Sequence, residues 1–237
     1  MQNAVSNRQL DIDRFYILID RLSAKLNGPR HLSQCDGSLQ WPNRGVYFFF
    51  EDGEYRSGSQ IPRIVRVGTH AVSTGSKTTL WSRLRTHRGH LSGSGNHRGS
   101  VFRKLVGYAL LEKNSYPQSI KNTWGVGNSA SHNIRVEEIP LEKDVSSHLC
   151  RMPFLWIKID DLPGPESKRK YIERNVIALL SARTGCPDIP SDDWLGKNCR
   201  DQKIRSSGLW NSDHVDEIYD PLFLDIFEQF IAAHISD

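Results

Sequence analysis

Residues 45–50 read GVYFFF and residues 63–67 read RIVRV, with the polar, turn-rich run EDGEYRSGSQ between them. Short apolar runs rich in aromatic and β-branched residues, bounded by glycine and polar turn residues, read as strands. The two runs therefore predict a β-hairpin with a long loop. A third strand is expected at 152–160, MPFLWIKID. With this hairpin in place, the rest of the chain is expected to pack helices onto a small sheet.

Helical spacing supplies those helices. Phe15, Leu18, Ile19, Leu22 and Leu26 predict an N-terminal helix over 9–27, stopped by Gly28-Pro29. Thr78 or Thr79 is suited to cap a helix that runs to about His87, with Gly89 as its stop. A further helix is expected from Ser100 to Glu112, one from Pro165 to Ala182, and a last one over 220–236 with Asp220 as N-cap and Pro221 in the first position. Residues 188–207 read as loop. The expected class is α/β of the α+β type, a three-stranded, mainly antiparallel sheet flanked by helices. The chain reads as one domain over 1–237, with a core at about 44–113 and 152–215. An insertion fills about 114–150, irregular at first and partly helical towards its end.

The charge is unevenly distributed. Between residues 55 and 111 stand ten Lys or Arg and no Asp or Glu, while the remaining chain carries 21 basic and 27 acidic residues. A basic segment in an otherwise acidic protein is an electrostatic footprint for a polyanion. Arg85, Arg88, Arg98, Arg103 and Lys104 are the expected contacts to a nucleic-acid backbone, with DNA as the partner and RNA left open. No apolar run approaches the roughly 20 residues that span a bilayer, and residues 1–9 are too polar for a secretion signal, so a cytoplasmic protein is expected. The four cysteines are scattered without a C-x-x-C pair, which fits free thiols. The glycine-rich run 93–99 lacks G-K-[ST] and does not read as a nucleotide loop.

Arg83 and His87 stand four residues apart on one helix face, beside Leu80 and Leu84. A guanidinium on a half-apolar stripe is costly unless it meets an anion, and a phosphate supplies one with matching geometry. Taken in order, Gly45-Val46-Tyr47, Arg66-Val67-Gly68, the Arg83-x-x-x-His87 pair, Glu173 on a later helix and Asn211 in GLWN resemble the motifs of the GIY-YIG nuclease family. The resemblance implies a metal-dependent DNA endonuclease that hydrolyses a phosphodiester by water attack. It makes Tyr47, Arg66, Arg83, His87 and Asn211 catalytic. It also makes Glu173 the single protein ligand of Mg²⁺ or Mn²⁺, with Asn198 the spare for Asn211.

Two matters stay open in the sequence. Tyr47, by resemblance, orients or deprotonates the water, while His87 competes as base because an imidazole titrates near neutrality. The chain also carries Arg66 where the family has a tyrosine. An arginine binds phosphate but carries no proton at neutral pH. The competing reading is therefore a catalytically impaired GIY-YIG-like module that binds nucleic acid without cutting it.

Overall fold

A computed structural model describes residues 2–233. The end of the expected C-terminal helix, 234–236, lies outside the described residues. The sheet holds four strands in the order β1-β4-β2-β3, all neighbours antiparallel: β1 Arg30–His31, β2 Gly45–Tyr55, β3 Pro62–Gly68 and β4 Pro153–Lys158. Three strands were expected. The fourth is the two-residue β1, which pairs Arg30 with Phe154 and is too short for any alternation to register.

β2 lies in the middle. Tyr47 pairs with Gly68 on one side and Trp156 on the other, and Phe49 pairs with Arg66 and Phe154. Opposed residues share a face, so Tyr47, Phe49, Arg66 and Gly68 point one way and Val46, Phe48 and Val67 the other. Both faces are covered. Phe48 packs edge-on against Phe15 of α1 (Gln2–Lys25) and Phe227 of α9 (Phe223–Ala233), at centroid distances of 6.2 and 5.7 Å. Phe49 packs against Phe102 at 5.4 Å on the opposite face. A strand buried on both sides needs no polar alternation, which is why GVYFFF is unbroken.

Local signals set most helix ends. Thr79 accepts a hydrogen bond from the Ser82 amide at 3.2 Å and starts α2 (Leu80–Arg88), and Gly89, at φ 85°, ends it. Ser100 caps α3 (Val101–Lys113) through the Arg103 amide. The insertion is more ordered than expected: α4 (Gln118–Thr123), α5 (His132–Glu137) and α6 (Ile139–Arg151) fill it. The helix expected from Pro165 is α7, Lys168–Leu180, because the Ser167 hydroxyl is the cap that begins it. The stretch expected as loop contains a 3-10 turn at Leu195–Asn198 and α8 (Gln202–Ser207). Asp220 accepts from the Leu222 amide at 3.1 Å, so Asp220 and Pro221 form the turn before α9 and lie outside its first turn.

Candidate active site

One face of the hairpin, α2, α7 and the segment after α8 enclose a polar cavity of about 170 Å³. Tyr47, Arg66, Arg83, Glu173 and Asn211 all line it. Five residues spread over 165 positions of sequence are thus brought to one wall-to-wall site. A larger cavity of about 320 Å³ lies at the far end of the hairpin, but Asp20, Glu51, Asp52 and Glu54 line it and would repel a polyanion.

The sheet register places Tyr47. Its pair partner must be glycine, because a Cβ at residue 68 would fall inside the Tyr47 ring. The Tyr47 hydroxyl meets His87 Nε2 at 2.8 Å, and His87 Nδ1 meets Ser100 Oγ at 2.8 Å. Ser100 Oγ already accepts from the Arg103 amide at 3.2 Å. His87 is fully buried behind Tyr47 and does not line the cavity. Burial, and then the charges of Arg83, Arg66 and Arg103, push its imidazole well below the ordinary value, so it is neutral at neutral pH.

Arg66 is buried with no carboxylate in ion-pair reach among the described residues. It donates to the Trp210 carbonyl and lies over the Phe102 ring at 4.7 Å, and its Nε has no partner. Burial lowers its pKa, with Tyr47 and Glu173 opposing that shift. Arg83 is half-buried; its Nη1 donates to the Gly99 carbonyl at 3.3 Å and its Nε is likewise unpartnered. An orphaned guanidinium nitrogen at a cavity wall leaves a donor for a ligand.

Glu173 projects from α7 into the same space. Its Oε1 accepts the Thr69 amide at 3.0 Å, and Thr69 Oγ1 in turn donates to the Gly45 carbonyl at 2.8 Å. Burial pushes the Glu173 carboxyl above the usual carboxylate value despite the opposing charge of Arg66. Its second oxygen has no hydrogen bond from the described residues. A carboxylate whose ionised form is penalised by burial, with one oxygen free towards a polar cavity, suits a divalent cation. No group of three His, Cys, Asp or Glu among the described residues could hold a metal, so a cation at Glu173 would take most of its remaining ligands from water and substrate, with Asp213 also on the cavity wall.

Asn211 does not reach out to the cavity with either end of its amide. Oδ1 accepts from the Val67 amide at 3.1 Å and Nδ2 donates to the Val67 carbonyl at 2.9 Å, which pins the segment after α8 to β3. Asn198 is exposed on the 3-10 turn and takes no part in the site.

A family model for the GIY-YIG domain matches residues 6–236. The chain belongs to the GIY-YIG family. Domains of this family are typically nucleases that use divalent metals and act on nucleic acids. Comparisons with curated proteins and with solved structures returned no match. Tyr47 and Arg66 stand on the paired strands β2 and β3 within the matched span.

The expected backbone contacts divide sharply. Arg85 is exposed and free of partners among the described residues, and Arg88 is half-buried with its Nη1 on the Cys35 carbonyl at 2.6 Å. Lys104 is half-buried on α3, away from the cavity. Arg98 and Arg103 must be corrected. Arg98 binds both oxygens of Glu138 at 2.6 and 2.8 Å, and Arg103, fully buried, grips Glu142 and Ser146. These two fasten the insertion to the core and are not available to phosphate. Four polar cavity residues had no signal in the sequence: Thr69, Ser212, Asp213 and His214. His214 is in the left-handed region at φ 65°, with Nδ1 on Glu217 at 2.7 Å. Ser100 read only as a helix start; its contact to His87 spans 13 residues and no local pattern carries it.

Proposed function

We propose that this GIY-YIG chain is an endonuclease that hydrolyses a DNA phosphodiester with water as nucleophile and one divalent cation at Glu173. The observation that carries the reading is the composition of the cavity: two guanidiniums without carboxylate partners among the described residues, Arg66 and Arg83, share it with Glu173, which keeps a free oxygen, while Asp213 also lines the wall. A phosphodiester with a divalent cation is a ligand that would satisfy all three.

Tyr47 is the residue placed to touch the attacking water, since it lines the cavity and His87 does not. A neutral His87 with its proton on Nδ1 donates to Ser100 and accepts the Tyr47 hydroxyl proton at Nε2. That arrangement turns the phenol oxygen's lone pairs towards the cavity, so Tyr47 orients the water and His87 orients Tyr47. Arg83 and Arg66 stabilise the charge that builds on the non-bridging oxygens, a role for fixed donors that need not reorganise as the reaction proceeds. Asn211 keeps its segment against β3 and so sets the position of the cavity wall. The cation, held by Glu173, would supply Lewis-acid polarisation of the phosphoryl group and stabilise the leaving oxygen. No helix among the described residues is long and apolar enough to cross a membrane, and the four thiols are free. The reading therefore has the protein act in the cytoplasm.

Supercoiled plasmid incubated with the purified chain, with Mg²⁺, Mn²⁺ or EDTA, tests this directly. Nicking or linearisation that needs metal and is lost in Glu173→Gln and Arg83→Ala is the expected result. A chain that shifts DNA in a gel yet never cuts it with any divalent metal is instead a binding module, with Arg66 the residue responsible.

A further inference from the structure

The ten cations of residues 55–111 sort into two sets once their partners are known. Arg56, Arg63, Arg98 and Arg103 hold carboxylates within the fold. Arg66, Lys77, Arg83, Arg85, Arg88 and Lys104 have none in ion-pair reach among the described residues. Four of these six fall into two cavities on either side of one short wall. Arg66 and Arg83 line the site described above, and Arg85 and Arg88 line a second cavity of about 380 Å³ with Thr86, His90, Asn96 and Gly99.

The wall is shared. Arg83 of the first cavity donates to the carbonyl of Gly99, and Gly99 lines the second. The second cavity carries no carboxylate. Arg88 is partly committed, through Nη1 on Cys35 and its stack over Trp81 at 5.1 Å, but its Nε is buried and unpartnered. Arg85 is exposed and has no hydrogen-bond or ion-pair partner among the described residues. The cavity lies at the C-terminal end of α2, where exposed carbonyls would oppose an anion. Three of the last four carbonyls are engaged: Gly89 N donates to Arg85 O, Arg103 Nη1 to His87 O, and Cys150 Sγ weakly to Arg88 O at 3.9 Å. The fully buried Arg103 thus covers part of the helix end and weakens the electrostatic objection to an anion there.

We infer that this second cavity is a phosphate subsite for the same nucleic-acid strand, and that it holds a backbone phosphate that is not cut. Arg83 and Arg88 are separated by about 7.5 Å along the α2 axis. A strand advances about 3.4 Å per nucleotide along a duplex. The anchored phosphate therefore lies within about two nucleotides of the one in the first cavity. The inference rests on the nuclease reading only for the identity of the polyanion in the first cavity. Helix α2 then sets the register of the strand: one face grips the scissile group, and the next turn grips its neighbour.

Fluorescence anisotropy of the full chain on a short duplex in EDTA, titrated across salt, tests the subsite without any need for cleavage. Each lost phosphate contact lowers the slope of log K against log salt by about 0.9. The slope is expected to fall by about one in Arg85→Gln/Arg88→Gln, which removes the single phosphate contact, and by part of that in Arg85→Gln alone. Affinity in the pair is expected to fall at least about tenfold. Arg85 has no partner to lose, so its variant reads binding alone. In the wild type, one neutral methylphosphonate, stepped through the linkages within about two nucleotides of the scissile one, should at one position weaken binding to the same degree, and should not weaken the double variant further. Unchanged slopes, or an equal fall in Lys121→Gln on the distant α4 surface, overturn the subsite. So does loss of inorganic phosphate binding with duplex affinity intact, which would make the cavity a site for free phosphate. A chain that never cuts DNA but loses slope as described keeps this inference and sinks the proposed function. A chain that cuts normally with Arg85 and Arg88 removed does the reverse.

Discussion

Arg103 and Arg83 are both arginines of the same basic stretch, and the fold uses them in opposite ways. Arg103 is fully buried, and every direction of its guanidinium is answered: Glu142, Ser146 and the His87 carbonyl surround it. Glu142 also accepts from both the amide and Nδ1 of His97, at 2.6 and 2.9 Å, and these contacts with Arg103 and His97 hold its carboxyl below the usual range. Arg83, one turn of helix from the same His87, has a single carbonyl and an empty Nε. A satisfied cation fastens the insertion to the core; an unsatisfied one waits at a cavity. Charge in the sequence is the same in both cases, and only the partner tells the two apart.

Breaking the satisfied member should have the largest effect. Arg103→Met leaves Glu142 buried with His97 alone, and stability is expected to fall by about 3–5 kcal/mol. Replacing both partners, Arg103→Met/Glu142→Leu, should recover most of that loss, because no charge is then stranded. Urea unfolding followed by circular dichroism measures both. A cost below about 1 kcal/mol in the single variant would mean that α6 is held by its apolar contacts and not by this pair. Breaking the unsatisfied member should do the opposite. Arg83→Lys keeps the charge but loses the planar fork. Cleavage is expected to drop about a hundredfold, while unfolding stays within about 0.5 kcal/mol of the wild type. Equal cleavage by the lysine variant would reduce Arg83 to a point charge.

This comparison also explains what the sequence made legible. The hairpin, the Thr79 and Gly89 ends of α2 and the Ser100 cap are local signals, and the chain obeys them. The ordered motifs brought Tyr47, Arg66, Arg83, Glu173 and Asn211 to one cavity because two of their elements, β2 and β3, pair directly and the others pack on them. Partners distant in sequence were invisible. The stretch 55–111 contains no acid, yet its arginines are answered by Asp13, Glu138, Glu142 and Asp188. Counting charges along the chain therefore overstated the surface available to DNA. The same limit hid Ser100 behind His87 and the two-residue strand β1 beside β4.

A pH series sharpens the comparison from the side of the neutral groups. His87 is held neutral by burial and by the cations around it, and burial pushes His70, bound to the Asn43 carbonyl at 3.2 Å, down to about 4. Both folded values lie below the unfolded value near 6.5. The unfolded chain therefore binds more protons in acid, and the stability these groups confer is full above about 6.5 and is lost as pH falls towards 4. His70→Gln, which keeps a donor for Asn43 but does not titrate, should flatten part of that fall. An unfolding free energy that is level from pH 7 to 4.5 in the wild type would mean that both imidazoles gain protons without cost.

The smallest effect concerns the buried carboxylate of the cavity, Glu173. The Glu173 carboxyl is raised by burial, so its ionised form is disfavoured in the fold at neutral pH, and the contribution it makes in acid is lost as pH rises through the folded value. A divalent cation relieves that penalty by supplying the missing charge. Mg²⁺ or Mn²⁺ should therefore raise the melting temperature of the wild type, by about 2–4 °C for each ~1 kcal/mol of linkage. Glu173→Gln removes the ionised group, so its metal-free melting point should equal or exceed that of the wild type, and metal should no longer move it. Arg83→Lys, which leaves the carboxylate in place, should keep the metal shift while losing cleavage. A metal shift that persists in Glu173→Gln would put the cation elsewhere and leave Glu173 as a positioning group for the Thr69 amide.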